Sequence, residues 1–133
     1  MRLGIVGLAA LVDKMMPDEF STGLSFTLGL EEAENEIAKL REQAHVDLVI
    51  VLSHLGFPQD VKLAEKVHGI DVLLSGHTHN RLYRPAVVNG TVIIQSGCHG
   101  SFVGRLDLDI DAGRISHVAH RLIPVDEDIG TDS

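Results

Sequence analysis

Cysteine is nearly absent: Cys98 stands alone among 133 residues. A single thiol cannot close an internal disulfide, so the fold does not depend on oxidation and site chemistry falls to the histidines. Positive charge is also scarce. Lys and Arg total 11 against 19 Asp and Glu, a net charge of −8 with histidine neutral. No basic block interrupts that balance, which excludes nucleic-acid polymers as partners, since their phosphates demand clustered Lys and Arg. No apolar run approaches the length of a bilayer span, so no membrane crossing by a helix is expected. The run Leu3 to Val12 behind Met1-Arg2 carries one basic residue and no A-x-A-like cleavage site. A buried first strand fits it better than a signal peptide.

What is present reads as one α/β domain of ordinary composition, 44% hydrophobic and 23% charged. Residues 2–8 form a strand, and Ala9 to Leu30, with no sustained period, form a long loop. Ala33, Ile37, Leu40 and Ala44 recur at helical spacing behind an acidic first turn, giving a surface helix from Glu31 to Ala44. Val46 to Ser53 is a continuous apolar strand of the kind buried on both faces. Gln59 to Val67 is a short helix whose apolar face is Val61, Leu63, Ala64 and Val67, and Asp71 to Ser75 is the next buried strand. Strands alternating with helices imply parallel pairing. The texture then changes. Asn89-Gly90 between β-branched runs signals a hairpin over Val87 to Ile94. Phe102 to Ile110 alternates, although Gly104 weakens it. Asp111-Ala112-Gly113 makes a turn, and Arg114 to Val125 makes a last strand. The expected architecture is βαβαβ followed by an antiparallel meander, one unit over 1–125, with an acidic tail over 126–133.

Chemistry concentrates where strands end. Gly76-His77-Thr78-His79-Asn80 follows the strand Val72-Leu73-Leu74-Ser75, and His54 follows Val46 to Ser53 in the same way. Two imidazoles at i, i+2 on extended backbone point the same way, with Gly76 permitting the turn, so His77 and His79 would clamp a metal at the carboxyl edge of the sheet. His99, in Gly97-Cys98-His99-Gly100, reads as a turn residue, the alternative being an approach to the site from a glycine loop, and Cys98 as a small buried hydrophobe. Asn80 and Arg81 could contact phosphate or simply be loop polarity. His45, His68, His117 and His120 read as surface residues.

The runs Val49-Ile50-Val51-Leu52-Ser53-His54-Leu55-Gly56 and Asp71-Val72-Leu73-Leu74-Ser75-Gly76-His77-Thr78-His79 resemble the last two metal motifs of the calcineurin-like metallophosphoesterases. The resemblance is closer still to their 5′-nucleotidase branch, which includes cyclic-nucleotide phosphodiesterases, UDP-sugar hydrolases and a thiosulfohydrolase. That branch shares Gln95-Ser96-Gly97 and Gly104-Arg105-Leu106-Asp107-Leu108, and the likeness runs from Leu3 to about Val125. It implies the carboxyl half of a four-layer α/β/β/α sandwich and hydrolysis of phosphate esters, nucleotides foremost, with two divalent metals such as Mn, Zn, Fe or Mg. By resemblance His54 and His77 ligate one metal and His79 the other, while Asn80 is a candidate substrate contact.

The family's D-x-H, G-D and G-N-H-[DE] blocks have no counterpart in this sequence. In the family site two metals about 3.5–4 Å apart clamp the phosphoryl group. Holding them so close takes a shared carboxylate, which histidines do not supply. The chain alone is therefore expected to bind at most one metal weakly, to turn over little or nothing, and to contain no catalytic residue. Its expected complement is an amino-terminal half, in cis or in trans. The alternatives are a non-catalytic module or subunit that needs that partner, and a stand-alone three-histidine zinc hydrolase. Exported relatives point to a periplasmic or extracellular full-length parent.

Overall fold

The computed structural model describes residues 1–10 and 17–126. The expected acidic tail, Asp126 apart, lies outside the described residues, as do the last two positions of the leading apolar run. The elements are β1 (Leu3–Leu8), α1 (Asp18–Ser21), α2 (Leu30–Glu42), β2 (Leu48–Ser53), α3 (Phe57–Lys66), β3 (Val72–Ser75), β4 (Ala86–Val88), β5 (Thr91–Ile94), β6 (Phe102–Asp111) and β7 (Arg114–Pro124). The segment expected to be loop contains the single turn α1, and its last residue starts α2. Among the described residues, no helix is long and apolar enough to cross a membrane.

Five strands form one sheet in the order β1-β2-β3-β5-β4. β1, β2, β3 and β5 run parallel, and β4 closes antiparallel on β5. The Asn89-Gly90 turn has φ of 47° and 83° at its two central residues, the left-handed pair that a two-residue hairpin requires. The Asn89 side chain also donates to the carbonyls of Ala64 and Glu65, at 3.3 and 3.0 Å, near the end of α3. Both expected hairpins form, but in different sheets: β6 and β7 pair with each other, apart from β4 and β5.

One face of the five-stranded sheet carries α2 and α3. Val49, Val51, Leu73 and Ile93 pack there with Ile37, Leu63, Ala64 and Val67, all nearly or fully buried. Each such Val, Leu or Ile side chain contributes about 1.5–3 kcal/mol relative to exposure. Arg41 ties the end of α2 to the amino edge of the sheet. It donates to the carbonyls of Asp47 and Gly69, at 2.8 and 2.9 Å, and pairs with the Asp71 carboxylate. The opposite face is covered unevenly. β6 crosses it beside Ile94 and Ser96, where a Cβ on Gly104 would sit 2.1 Å from the Ser96 hydroxyl. The glycine that weakens the strand pattern is thus the residue that lets the second sheet approach. Towards β1, Leu3, Ile5 and Leu52 remain 48%, 61% and 47% exposed, so β2 is not buried on both faces as its composition suggests.

Candidate metal centre

Four parallel strands put their carboxyl ends on one edge. Leu8, Ser53 and Ser75 lie side by side in register, and Leu74 pairs with Ile94, so Gln95 continues the row. Beneath that row sits Asp60, wholly buried in α3. The hydroxyls of Ser53 and Ser75 each donate to one of its carboxylate oxygens at 2.5 Å. Ser53 Oγ in turn accepts from the Leu55 amide at 3.1 Å, and Ser75 Oγ accepts from Gln95 Nε2 at 2.9 Å. Burial pushes the Asp60 carboxyl above its ordinary range, and the two serine hydrogen bonds oppose that rise without cancelling it. Gln95, itself buried, also donates to the Gly76 carbonyl at 2.6 Å and accepts from the Asn80 amide. A continuous polar chain therefore runs from α3 to both ends of the 76–80 loop.

The histidines stand on that foundation. The His54 amide donates to the Leu8 carbonyl at 2.8 Å. Its ring lies against that of His77, centroids 4.9 Å apart. Thr78 locks the two loops: its hydroxyl accepts from the Phe57 amide at 2.9 Å. Space at Gly76 is tight, since a Cβ there would come within 3.2 Å of the Ser53 carbonyl oxygen and 3.3 Å of His54 Nδ1. The expected clamp on extended backbone is not what forms. His77 and His79 both take left-handed φ, 72° and 59°, while Gly76 does not. Such conformations cost about 1–3 kcal/mol each for a residue with a side chain and persist only where surroundings impose them. Here the bonds from Gln95 impose them.

His79 meets a different partner. The segment after it pairs antiparallel with the end of β5: Arg81 bridges Ser96, the Leu82 amide donates to Gln95 O at 3.1 Å, and the Gly97 amide donates to Asn80 O at 2.9 Å. Continuing that register sets His79 opposite Cys98. The His99 ring lies 5.6 Å from that of His79, and ligand atoms of His79, Cys98 and His99 fall within 4.8 Å of one another. Cys98 is half-buried beside two imidazoles, where the sequence suggested an inert hydrophobe. His99 is a turn residue, φ 55°, and a neighbour of His79 as well. Arg81 stacks its guanidinium over Phe102, 5.2 Å from the ring centroid. His45, His68 and His117 are exposed, but His120 is not a plain surface residue: both its ring nitrogens are shielded and have no partner among the described residues.

His54 borders a cleft of about 500 Å³ between the end of β1 and residues 25–29, and His77 borders a smaller one of about 170 Å³. Imidazole nitrogens suit Zn, Fe and Cu-class ions, so the donor chemistry fits a divalent metal. Among the described residues, no further His, Cys, Asp or Glu completes a group around His54 and His77. Asp60 and Gln95 were legible only in part. Asp60 lies at i, i+3, i+4, i+7 with Leu63, Ala64 and Val67, an acid on the apolar face of a helix.

No family model matches the chain. It is 33% identical over 108 residues to the trifunctional nucleotide phosphoesterase YfkN of Bacillus subtilis, matching 77% of this chain and 7% of that protein. The sulfate thiohydrolase SoxB of Thermus thermophilus superposes with a TM-score of 0.83 at 36% identity, over 92% of this chain and 22% of that one. A 5′-nucleotidase precursor, also from Thermus thermophilus, gives 0.64 at 28% identity, over 71% and 22%. The chain thus spans less than a third of the length of each. With strand order, hairpins and histidine-bearing loops in place, it belongs to the calcineurin-like metallophosphoesterases, in the 5′-nucleotidase branch, and corresponds to the carboxyl half of their catalytic domain.

Proposed function

We propose that this chain forms one wall of the metal site of a phosphate-ester hydrolase acting on nucleotides, with His54 and His77 holding one divalent ion and His79 a second. The observation that carries this reading is the meeting of His54 and His77 at neighbouring strand ends, over a glycine that leaves room for the ring. The names of YfkN and of the 5′-nucleotidase precursor support a nucleotidic phosphate ester as the substrate. A divalent cation there (Mn, Zn, Fe or Mg) supplies Lewis-acid polarisation of a phosphoryl oxygen. The chain's own contribution is placement: Gln95 and Thr78 hold the 76–80 loop, and Asn80, at the end of that loop, is the residue we assign to substrate contact. Calorimetric titration with Mn²⁺, alongside hydrolysis of adenosine monophosphate, tests it. Weak binding that His54→Ala and His77→Ala both abolish is the expected result. Binding indifferent to both substitutions would overturn it.

A second reading is favoured by the exposed Leu3, Ile5 and Leu52 and by the absence of a carboxylate beside the histidine pair among the described residues. In it the chain is a non-catalytic module whose turnover awaits a complementary segment, in cis or in trans, that covers this face and brings acidic ligands. A soluble monomer at micromolar concentration in sedimentation velocity would count against that reading.

A further inference from the structure

We propose that His79, Cys98 and His99 form a thiolate-containing site for a zinc-class ion, assembled by the loop after β5. The site shares His79 with the reading above and otherwise stands on separate residues. Three observations converge on it. The antiparallel bridge Arg81–Ser96 carries Cys98 opposite His79, so the contact follows from backbone register and not from a chance side-chain orientation. Cys98 to Ser101 is a tight turn, closed by the Ser101 amide on Cys98 O at 3.0 Å, with both central residues left-handed: His99 at 55° and Gly100 at 69°. That turn aims the His99 ring back at His79, which is itself held left-handed at 59°. Gly97, at φ 77°, packs against Arg81 and Phe102, so the loop's base is fixed by the Arg81–Phe102 stack.

The donor set is one sulfur and two imidazole nitrogens within 4.8 Å of one another, with both histidines exposed and the cysteine half-buried. Three protein ligands with a fourth position open is the pattern of zinc sites that exchange water or substrate. The sulfur selects against Mg²⁺ and Mn²⁺, which prefer oxygen, and favours Zn²⁺, Co²⁺ or Cd²⁺. On binding, the Cys98 thiol gives its proton to solvent and the sulfur lone pair forms the bond to the ion, so loading releases one proton and transfers no electrons. A Mg²⁺- or Mn²⁺-loaded protein would leave Cys98 a free thiol, and a zinc-loaded one would not.

The test is cobalt titration of the reduced full chain, read by the thiolate-to-cobalt charge-transfer absorption in the near ultraviolet. The expected result is a band that Zn²⁺ displaces, that Cys98→Ser and His99→Ala remove, and that His54→Ala retains. Retention in His54→Ala separates this site from the His54–His77 pair, whose own failure would be read by calorimetry. In parallel, Zn²⁺ should slow alkylation of Cys98 in the unmodified chain by about tenfold or more, because the metal-held thiolate is no longer free to attack, while Mg²⁺ leaves the rate unchanged. Cobalt binding without a thiolate band, a band that survives His99→Ala, or alkylation indifferent to Zn²⁺ would each overturn the proposal.

Discussion

Replacing Asp60 by alanine removes the acceptor on which two strand-end serines depend. Each serine now donates to a carboxylate oxygen at 2.5 Å. A hydrogen bond to a charged group contributes about 1.5–3 kcal/mol, and a buried hydroxyl left without an acceptor costs about 1–3 kcal/mol. Against that loss stands the relief of not burying a charge, worth several kcal/mol per ion. The net expectation is a destabilisation of about 2–4 kcal/mol, which for a domain of this size lowers the melting temperature by on the order of 10 °C. Asp60→Asn should cost less, about 0–2 kcal/mol, because it keeps the volume and sheds the charge. It still fails at one point. Ser75 Oγ already accepts from Gln95 Nε2 at 2.9 Å, so an amide donor facing it would leave its own proton without an acceptor. The pH dependence has a definite sign. Folding raises the Asp60 pKa above its ordinary value, so the native state holds this proton more tightly than the unfolded chain does. That contribution is full below the unfolded pKa and is lost as pH rises through the folded one. Wild type should therefore gain stability relative to Asp60→Asn as pH falls from neutral towards about 4, the ordinary aspartate range. Urea titrations followed by circular dichroism suit a chain without tryptophan. An Asp60→Ala variant within about 0.5 kcal/mol of wild type, or a wild-type minus Asp60→Asn difference flat with pH, would refute the argument.

Gly76→Ala should weaken metal binding at His54 and His77 by about tenfold, since its Cβ lands 3.2 Å from the Ser53 carbonyl oxygen and 3.3 Å from His54 Nδ1 and so displaces the His54 ring; calorimetry against the parent checks it. Gly104→Ala should destabilise by about 1–3 kcal/mol through its clash with Ser96 Oγ, and Ser96→Gly should recover most of that loss in a double-mutant cycle of thermal melts. His120→Phe should hold or raise stability, by up to about 1–2 kcal/mol in urea titration, because it removes two shielded ring nitrogens that have no partner among the described residues. A large loss there would mean the imidazole has a role that packing does not reveal.

Periodicity and turn chemistry were readable in the sequence because each is a local property. The β2 and β3 apolar runs, the α3 face at Leu63, Ala64 and Val67, and the Asn89-Gly90 turn all appear in the structure. The fate of the edge was less readable. Which hairpin joins which sheet depends on a crossing at Gly104 and Ser96, and no local pattern records that. The strand-then-histidine repeat marked His54, His77 and His79, but the i, i+2 rule assumed extended backbone. The bonds from Gln95 impose left-handed residues instead. The sequence offers His99 as a turn residue that could approach the site, and hides Cys98 for a similar reason. Their approach to His79 comes from one isolated bridge between distant segments.

The parallel ladder that lines up the ligands also sets an order of events. β2, β3 and β5 pair with near neighbours in sequence, Ser53 with Ser75 and Leu74 with Ile94, whereas β1 reaches across α2 to pair Leu3 with Leu48. Short loops close at lower entropic cost than long ones, so the segment from β2 to β5 should form before β1 docks at its edge. His54, His77 and His79 fall inside that early unit, and Cys98 and His99 follow directly after its last strand. In hydrogen exchange, β1 should then open at lower free energy than β3, and the histidine pairs should outlive its departure.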